Sequence, residues 1–258
     1  GYFGMPHILV RFMAVRDEKE LKKSKVVAIL WVALSLGFAC FIGVVGRAYL
    51  YPVILGAEGA ASTENVFIEM ITKMFTSQFA LPFVGGIFLC GILAAIMSTA
   101  DSQLLVTASS VAEDIYKGVV KKDAEDEKVL IVSRITVLVV AVLAYLIALN
   151  PNSSIMTLVS DAWAGFGSAF GPIVLLSLFW KRTNFQGALT GIISGAVTVI
   201  VWDYLPVING QTIGVATGLY SLVVGFAVSF VTIVVVSLLT PPPSDEILKE
   251  FEDAKNGI

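Results

Sequence analysis

Apolar residues run through this chain in long unbroken stretches. Six of them, roughly 26–50, 79–107, 129–149, 155–180, 186–205 and 214–239, reach about the 20 residues that a helix needs to cross a bilayer. The second is followed by residues that can continue a helix to about 118. A membrane barrel would show alternating segments of about 10 residues instead. The pattern predicts an all-α polytopic membrane protein with six transmembrane helices. Between the first two spans, Val66, Phe67, Met70, Ile71, Met74 and Phe75 recur at helical spacing, with Glu64, Glu69 and Lys73 among them. This predicts a short amphipathic helix over 65–75, serving either as packing or as part of an external lid. In Asn150-Pro151-Asn152-Ser153-Ser154, the proline stops one helix and the Asn and Ser residues can start the next. Pro241-Pro242-Pro243 ends the last span, and a charged tail follows, helical at best in part.

Composition narrows the class. Apolar residues make up 57% of the chain and charged ones 14%, against about 25% charged in soluble domains. That excludes an ordinary soluble domain and intrinsic disorder. A net charge of −3 and a pI near 5.2 exclude nucleic acid as a partner. Cys40 and Cys90 cannot build a disulfide framework and read as small hydrophobes in apolar segments. Residues 1–14 contain Pro6, His7 and Arg11, unlike the apolar run of a signal peptide.

Charge then orients the spans. Lys and Arg concentrate in 11–25, 117–128, 181–185 and the tail, whereas the connections 51–78, 150–154 and 206–213 hold only Lys73. Basic loops are retained on the cytoplasmic side. The alternation is unbroken, so both ends of the chain are expected in the cytoplasm.

The informative residues of a membrane protein are polar ones at depth. The second span carries the densest group, Ala94-Ala95-Ile96-Met97-Ser98-Thr99-Ala100-Asp101-Ser102-Gln103. The carbonyl of Ala95 lies one turn before Thr99. If the local hydrogen bond loosens, that carbonyl and the hydroxyls of Ser98 and Thr99 can converge on one point. Hard cations want such neutral oxygens. The competing reading is that Ser and Thr bond back to their own i−4 carbonyls and that the small residues mark helix packing. Asp101 is a carboxylate at depth, costly unless paired or solvated.

Residues 1–14 form a second polar group. Gly1, Gly4 and Pro6 predict an interrupted helix, or an irregular entry into one, carrying Tyr2, His7 and Arg11. Such irregular backbone is tolerated at depth only against protein or a water-filled cavity. His7 reads either as a hydrogen-bonded structural residue or as a proton switch. In the fourth span, Asp161, Trp163, Gly165, Gly167, Ser168, Gly171 and Pro172 predict a bent helix in close contact with a neighbour. The GxxxGxxxG stripe Gly187, Gly191, Gly195 is a helix-packing signature and carries no chemistry.

Enzymes are disfavoured. A serine protease needs a base, and His7 is the sole histidine. An aspartyl protease needs paired carboxylates, and only Asp101 and Asp161 are mid-chain candidates. Walker A, CxxC and HExxH patterns are absent from the sequence. A transporter or a channel around an oxygen-lined cation site remains.

Three segments resemble the sodium/solute symporter family, most closely its bacterial sodium/proline symporters. They are Gly1-Tyr2-Phe3-Gly4-Met5-Pro6-His7-Ile8-Leu9-Val10-Arg11-Phe12-Met13, Ala94 to Thr99 with Glu113-Asp114-Ile115-Tyr116-Lys117 following, and Ala162 to Pro172. The resemblance implies a LeuT-like fold of two inverted repeats, with substrate and sodium near the midplane. Members run to roughly twice this length, as such a ten-helix core with added helices requires. The chain is therefore expected to be the C-terminal half of a transporter: 1–14 the end of a broken solute-site helix, 26–180 the core helices of the second repeat, 186–239 two peripheral helices, and 240–258 a cytoplasmic tail. Ala95 (through its carbonyl), Ser98 and Thr99 match the family's principal sodium site, which backbone groups of the first repeat complete. Asp101 and Ser102 fall where some members carry a further sodium subsite built on hydroxyls. Tyr2, Pro6, His7 and Arg11 match positions linked to solute binding, and Met5 stands where several relatives have glutamine. The implied activity is sodium-coupled uptake of a small zwitterion, L-proline first, in the cell membrane, with Na+ as coupling ion and no other cofactor. Its partners are sodium, the solute, the bilayer and an N-terminal half of the same transporter. Uptake of glycine betaine, a non-transporting sensor of the same fold, and a cation channel are the alternatives.

Overall fold

A computed structural model describes residues 1–56, 62–149, 154–208 and 210–256. Among the described residues the regular elements are helical, apart from one antiparallel bridge between Ile208 and Gln211. A single 3-10 turn, Tyr2–Gly4, precedes α1 (Pro6–Met13). Then come α2 (Glu18–Leu50), α3 (Val66–Ile71), α4 (Pro82–Ser109), α5 (Asp126–Ala148), α6 (Ile155–Phe179), α7 (Phe185–Tyr204), α8 (Ile213–Thr217), α9 (Ser221–Leu239) and α10 (Asp245–Asn256). Helices α3 and α4 run on in wider π-type turns, Thr72–Gln78 and Ser110–Val120. Six helices, α2, α4 with its extension, α5, α6, α7 and α9, are long and apolar enough to cross a membrane. With these the chain is a multi-pass membrane protein.

Local chemistry sets most of the helix starts. The Asp17 carboxylate accepts from Glu20 N–H at 2.7 Å, and the Asn184 side-chain oxygen accepts from Gly187 N–H at 2.9 Å. These are N-caps. Pro82 opens α4, where its missing N–H costs nothing. At about 1.5 Å per residue, the 33 residues of α2 outrun the hydrocarbon, so its charged first turns stand outside it.

The structure departs from the sequence reading in two places. The last span begins at Ser221 and not at 214, because Gly218 takes a left-handed φ of +67° and ends the short α8. The apolar periodicity of 213–219 hid that break. The tail is a full helix, α10, with Asp245 and Glu246 in its first turn and Lys255 in its last, the order that suits the helix dipole. Residues 150–153 of the tight connection lie outside the described residues. Ser154 does cap α6, its hydroxyl accepting from Thr157 N–H at 3.5 Å.

The chain forms two compact units, 1–14 with 151–258, and 15–150. In the first, α6, α7 and α9 close on one another through small residues. Gly187, Gly191 and Gly195 on α7 and Ser221, Gly225, Ser229 and Ser237 on α9 are all buried. A methyl on Gly191 would run into the Ile233 side chain, and one on Gly195 into the backbone of Ser168. Ser229 Oγ donates to Gly191 O at 2.9 Å, and Asn184 Nδ2 donates to Pro241 O and Thr240 Oγ1, both at 2.7 Å. Helix α6 continues through Pro172, which is fully buried.

In the second unit, α3 lies in a notch made by two glycines. Gly46 of α2 faces Val66 and Met70, and Gly85 of α4 faces Phe75 and Ile71. Lys73 Nζ donates to Tyr49 O at 3.0 Å and sits 5.0 Å from the Tyr49 ring centre, while Tyr49 Oη donates to Gln78. At the other end, Lys117 joins α4 to α5 through Asp126 at 3.1 Å.

Candidate functional site

The predicted interruption in 1–14 is present. Met5 is extended (φ −86°, ψ 120°) between the 3-10 turn and α1, and Pro6 opens α1 as its first residue. The break is held by glycine-to-glycine contact with α6. A methyl on Gly4 would meet Phe166 O at 2.8 Å, Gly171 N at 2.9 Å and Gly167 Cα at 3.0 Å. The glycines of the first and third motifs are thus two sides of one contact, which neither motif alone reveals. Around it, the Tyr2 ring lies 6.0 Å from Trp163 and Phe3 packs edge-on to Phe226 at 6.3 Å.

The candidate solute residues of this unit remain accessible. Tyr2 is 52% exposed, Pro6 and His7 are partly exposed, and Arg11 is exposed. His7 and Arg11 are four residues apart on α1 and share its face. Met5, by contrast, is buried.

The candidate ion residues lie in the other unit, on α4. Ala95, Ser98, Thr99 and Ser102 follow the i, i+3, i+4, i+7 spacing that puts them on one stripe. Thr99 Oγ1 donates to Ala95 O at 3.1 Å, and Ser102 Oγ donates to Ser98 O at 3.0 Å. Back-bonding is therefore what the Thr99 and Ser102 hydroxyls do in this chain. Ala95, Ser98 and Thr99 are exposed, so no helix of their own unit covers them. At about 100° per residue, Asp101 points roughly a third of a turn from the stripe, while Ser102 lies on it.

Back-bonding and ion binding are not exclusive here. Two oxygens about 3 Å apart are spaced as neighbouring ligands of a hard cation with metal–oxygen bonds of about 2.4 Å. Turning the Thr99 hydroxyl proton away would free both oxygens without unwinding the helix.

Sequence reasoning missed one polar cluster. Asp161 accepts from Tyr204 Oη at 3.0 Å, and Tyr220 Oη donates to Ser160 O at 2.7 Å. Burial, then the nearby carboxylates of Asp161 and Asp203, push the Tyr220 phenol above its ordinary pKa, so it stays a proton donor. These bonds tie the start of α6 to the end of α7 and the start of α9. The signal available in the sequence was a tyrosine at the edge of each of two apolar runs.

Six helices long and apolar enough to cross a membrane define a polytopic helical membrane protein. The family model described as "Sodium:solute symporter family" matches residues 1–195, and the chain belongs to that family, a family of transporters and not of enzymes. It is 43% identical over 253 residues to the osmoregulated proline transporter OpuE of Bacillus subtilis, which covers 97% of this chain and 48% of that protein. It is 42% identical over 258 residues to the high-affinity proline transporter PutP of the same organism, covering 100% of this chain and 51% of the relative. With the sodium/proline symporter of Escherichia coli it shares 42% identity over 256 residues, 98% of this chain and 48% of the relative. The chain spans about half the length of these curated relatives.

Proposed function

We propose that the chain works within a longer transporter that couples sodium entry to uptake of a small zwitterion, L-proline. Family membership and the proline-transporter names of relatives near 42% identity support this reading. The observation that carries it is the α4 stripe: Ala95 O and Thr99 Oγ1 lie side by side, Ser98 is next to them, and the three residues are exposed within the chain. A stripe of this kind is one wall of a cation site. In this reading the other wall comes from backbone groups of a first repeat outside these 258 residues, in a LeuT-like arrangement. Ser102 shares the stripe and extends it. Asp101, off the stripe, acts on coupling rather than as a principal ligand.

The solute group is Tyr2, Pro6, His7 and Arg11. The Arg11 guanidinium and His7 imidazole share a face of α1 that suits a carboxylate. Sodium favours the outward-open state and orders this group, so coupling is a difference in sodium affinity between two states. In this reading the chain lies in the cell membrane with the basic segment 11–25 and the C-terminus on the cytoplasmic side, which the alternation of basic loops supports.

The test uses the full-length transporter in proteoliposomes. Thr99→Ala and Ser98→Ala are expected to raise the sodium concentration for half-maximal proline uptake at least tenfold, with protein yield and thermal stability near wild type. Unchanged sodium dependence in both variants would remove the assigned ion site.

A further inference from the structure

One cavity outside the residues used above has the make-up of a binding site. It is a pocket of about 310 Å³ lined by the end of α2, residues 51–55, Thr63 and the start of α3. Its walls include Gly43, Leu50, Ile54 and Val66, with Arg47 and Thr63 as polar members. A mostly apolar pocket of roughly 300 Å³ or more with a few polar groups is the usual form of a small-molecule site.

The charge is the informative part. Arg47 lies in the last turn of a membrane-spanning helix. Among the described residues, no carboxylate pairs with it and no hydrogen bond engages it. The neighbouring cation Lys73 is, by contrast, committed to the carbonyl and ring of Tyr49. A guanidinium presents a planar fork of donors that matches a carboxylate with two parallel hydrogen bonds. The space beside it is mostly apolar, and Val66 on its wall is seated against Gly46 of α2.

We propose that this pocket binds a small carboxylate with a compact apolar body, the carboxylate on Arg47 and the body against Leu50, Ile54 and Val66. Its lining shares no residue with the α4 stripe or with the Tyr2–Arg11 group. Binding itself does not depend on the transport reading; only the side of access does, and the orientation proposed above makes that the outer side.

Cyclopentanecarboxylate is a suitable probe, having a five-membered ring and a carboxylate but no amine. Full-length protein in nanodiscs of zwitterionic lipid, free of sodium, is titrated with the labelled probe by equilibrium dialysis. Saturable binding is expected, weakened tenfold or more by Arg47→Gln, partly restored by Arg47→Lys, and unaffected by Thr99→Ala. No saturable binding, or equal binding to Arg47→Gln, overturns the proposal. So does displacement of the probe when phosphatidylglycerol is added to the nanodiscs, which would make the pocket a lipid headgroup site. Sidedness is read independently by labelling Thr63→Cys with an impermeant maleimide in intact cells, in a Cys40→Ser, Cys90→Ser background. A wrong orientation and an empty pocket therefore give different results.

Discussion

Apart from Gly46 and Gly85, which seat α3, the glycines of α2 and α4 are opposite in use to those of α7 and α9, though alike in sequence. A methyl added to Gly37, Gly43, Gly86 or Gly91 would meet nothing within 4 Å. At Gly187, Gly191, Gly195 and Gly225 it would collide with serine, isoleucine or backbone atoms of a neighbouring helix. The same contrast runs through the helices. The most apolar windows of α2 and α5 are 0% buried, while that of α6 is 39% buried. Lipid is as apolar as leucine, so helices associate in a membrane where small residues let backbones approach and hydroxyls find partners. The unit of α6, α7 and α9 is closed by such contacts. The unit of α2 to α5 is closed around α3 and where the extension of α4 meets α5, at Ala112, Ala124 and Val129, and it leaves its oxygen stripe open. Close small-residue packing is thus concentrated in one unit and the candidate ion residues in the other.

Three substitutions test that contrast through the thermal unfolding midpoint of the full-length protein in detergent. The largest effect is expected for Gly191→Val, which forces two extra methyls and a Cβ into Ile233. Overpacking of this kind costs about 3 kcal/mol, and the midpoint should fall by several degrees. Gly4→Ala comes next, at about 2 kcal/mol, because the atoms its methyl meets are backbone of α6 and cannot rotate away. Gly37→Ala is expected to shift stability by no more than about 0.5 kcal/mol, helped by the better helix propensity of alanine. A loss at Gly37 comparable to that at Gly191 would mean that another element fills this face of α2, and the contrast would be lost. A silent Gly191→Val would break it from the other side.

Much of this was legible from the chain itself. Continuous apolar runs made helices the only economical elements, since each must satisfy its own backbone in lipid. The short helix over 65–75 appeared as α3, and the interrupted helix of 1–14 appeared with its break at Met5. The candidate ion residues were legible as candidates, because Ser98, Thr99 and Asp101 stand out against an apolar background. Periodicity could not separate α8 from α9, since a single left-handed glycine carries no hydropathy signal. Nor could it find the serine stripe on α9, where Ser221, Ser229 and Ser237 look like ordinary interruptions of an apolar run.

The sequence by itself determined the class, the six spans, the alternation of basic loops and the types of ligand available, because these follow from local composition and from the thickness of a bilayer. Only the tertiary structure decided which small residues are contacts and which are merely small. Gly4 and Gly171 are 167 positions apart in character as well as number until the fold brings them together, and Gly191 differs from Gly37 only in what lies opposite it. A close approach belongs to two surfaces at once, and a one-dimensional pattern describes one surface at a time.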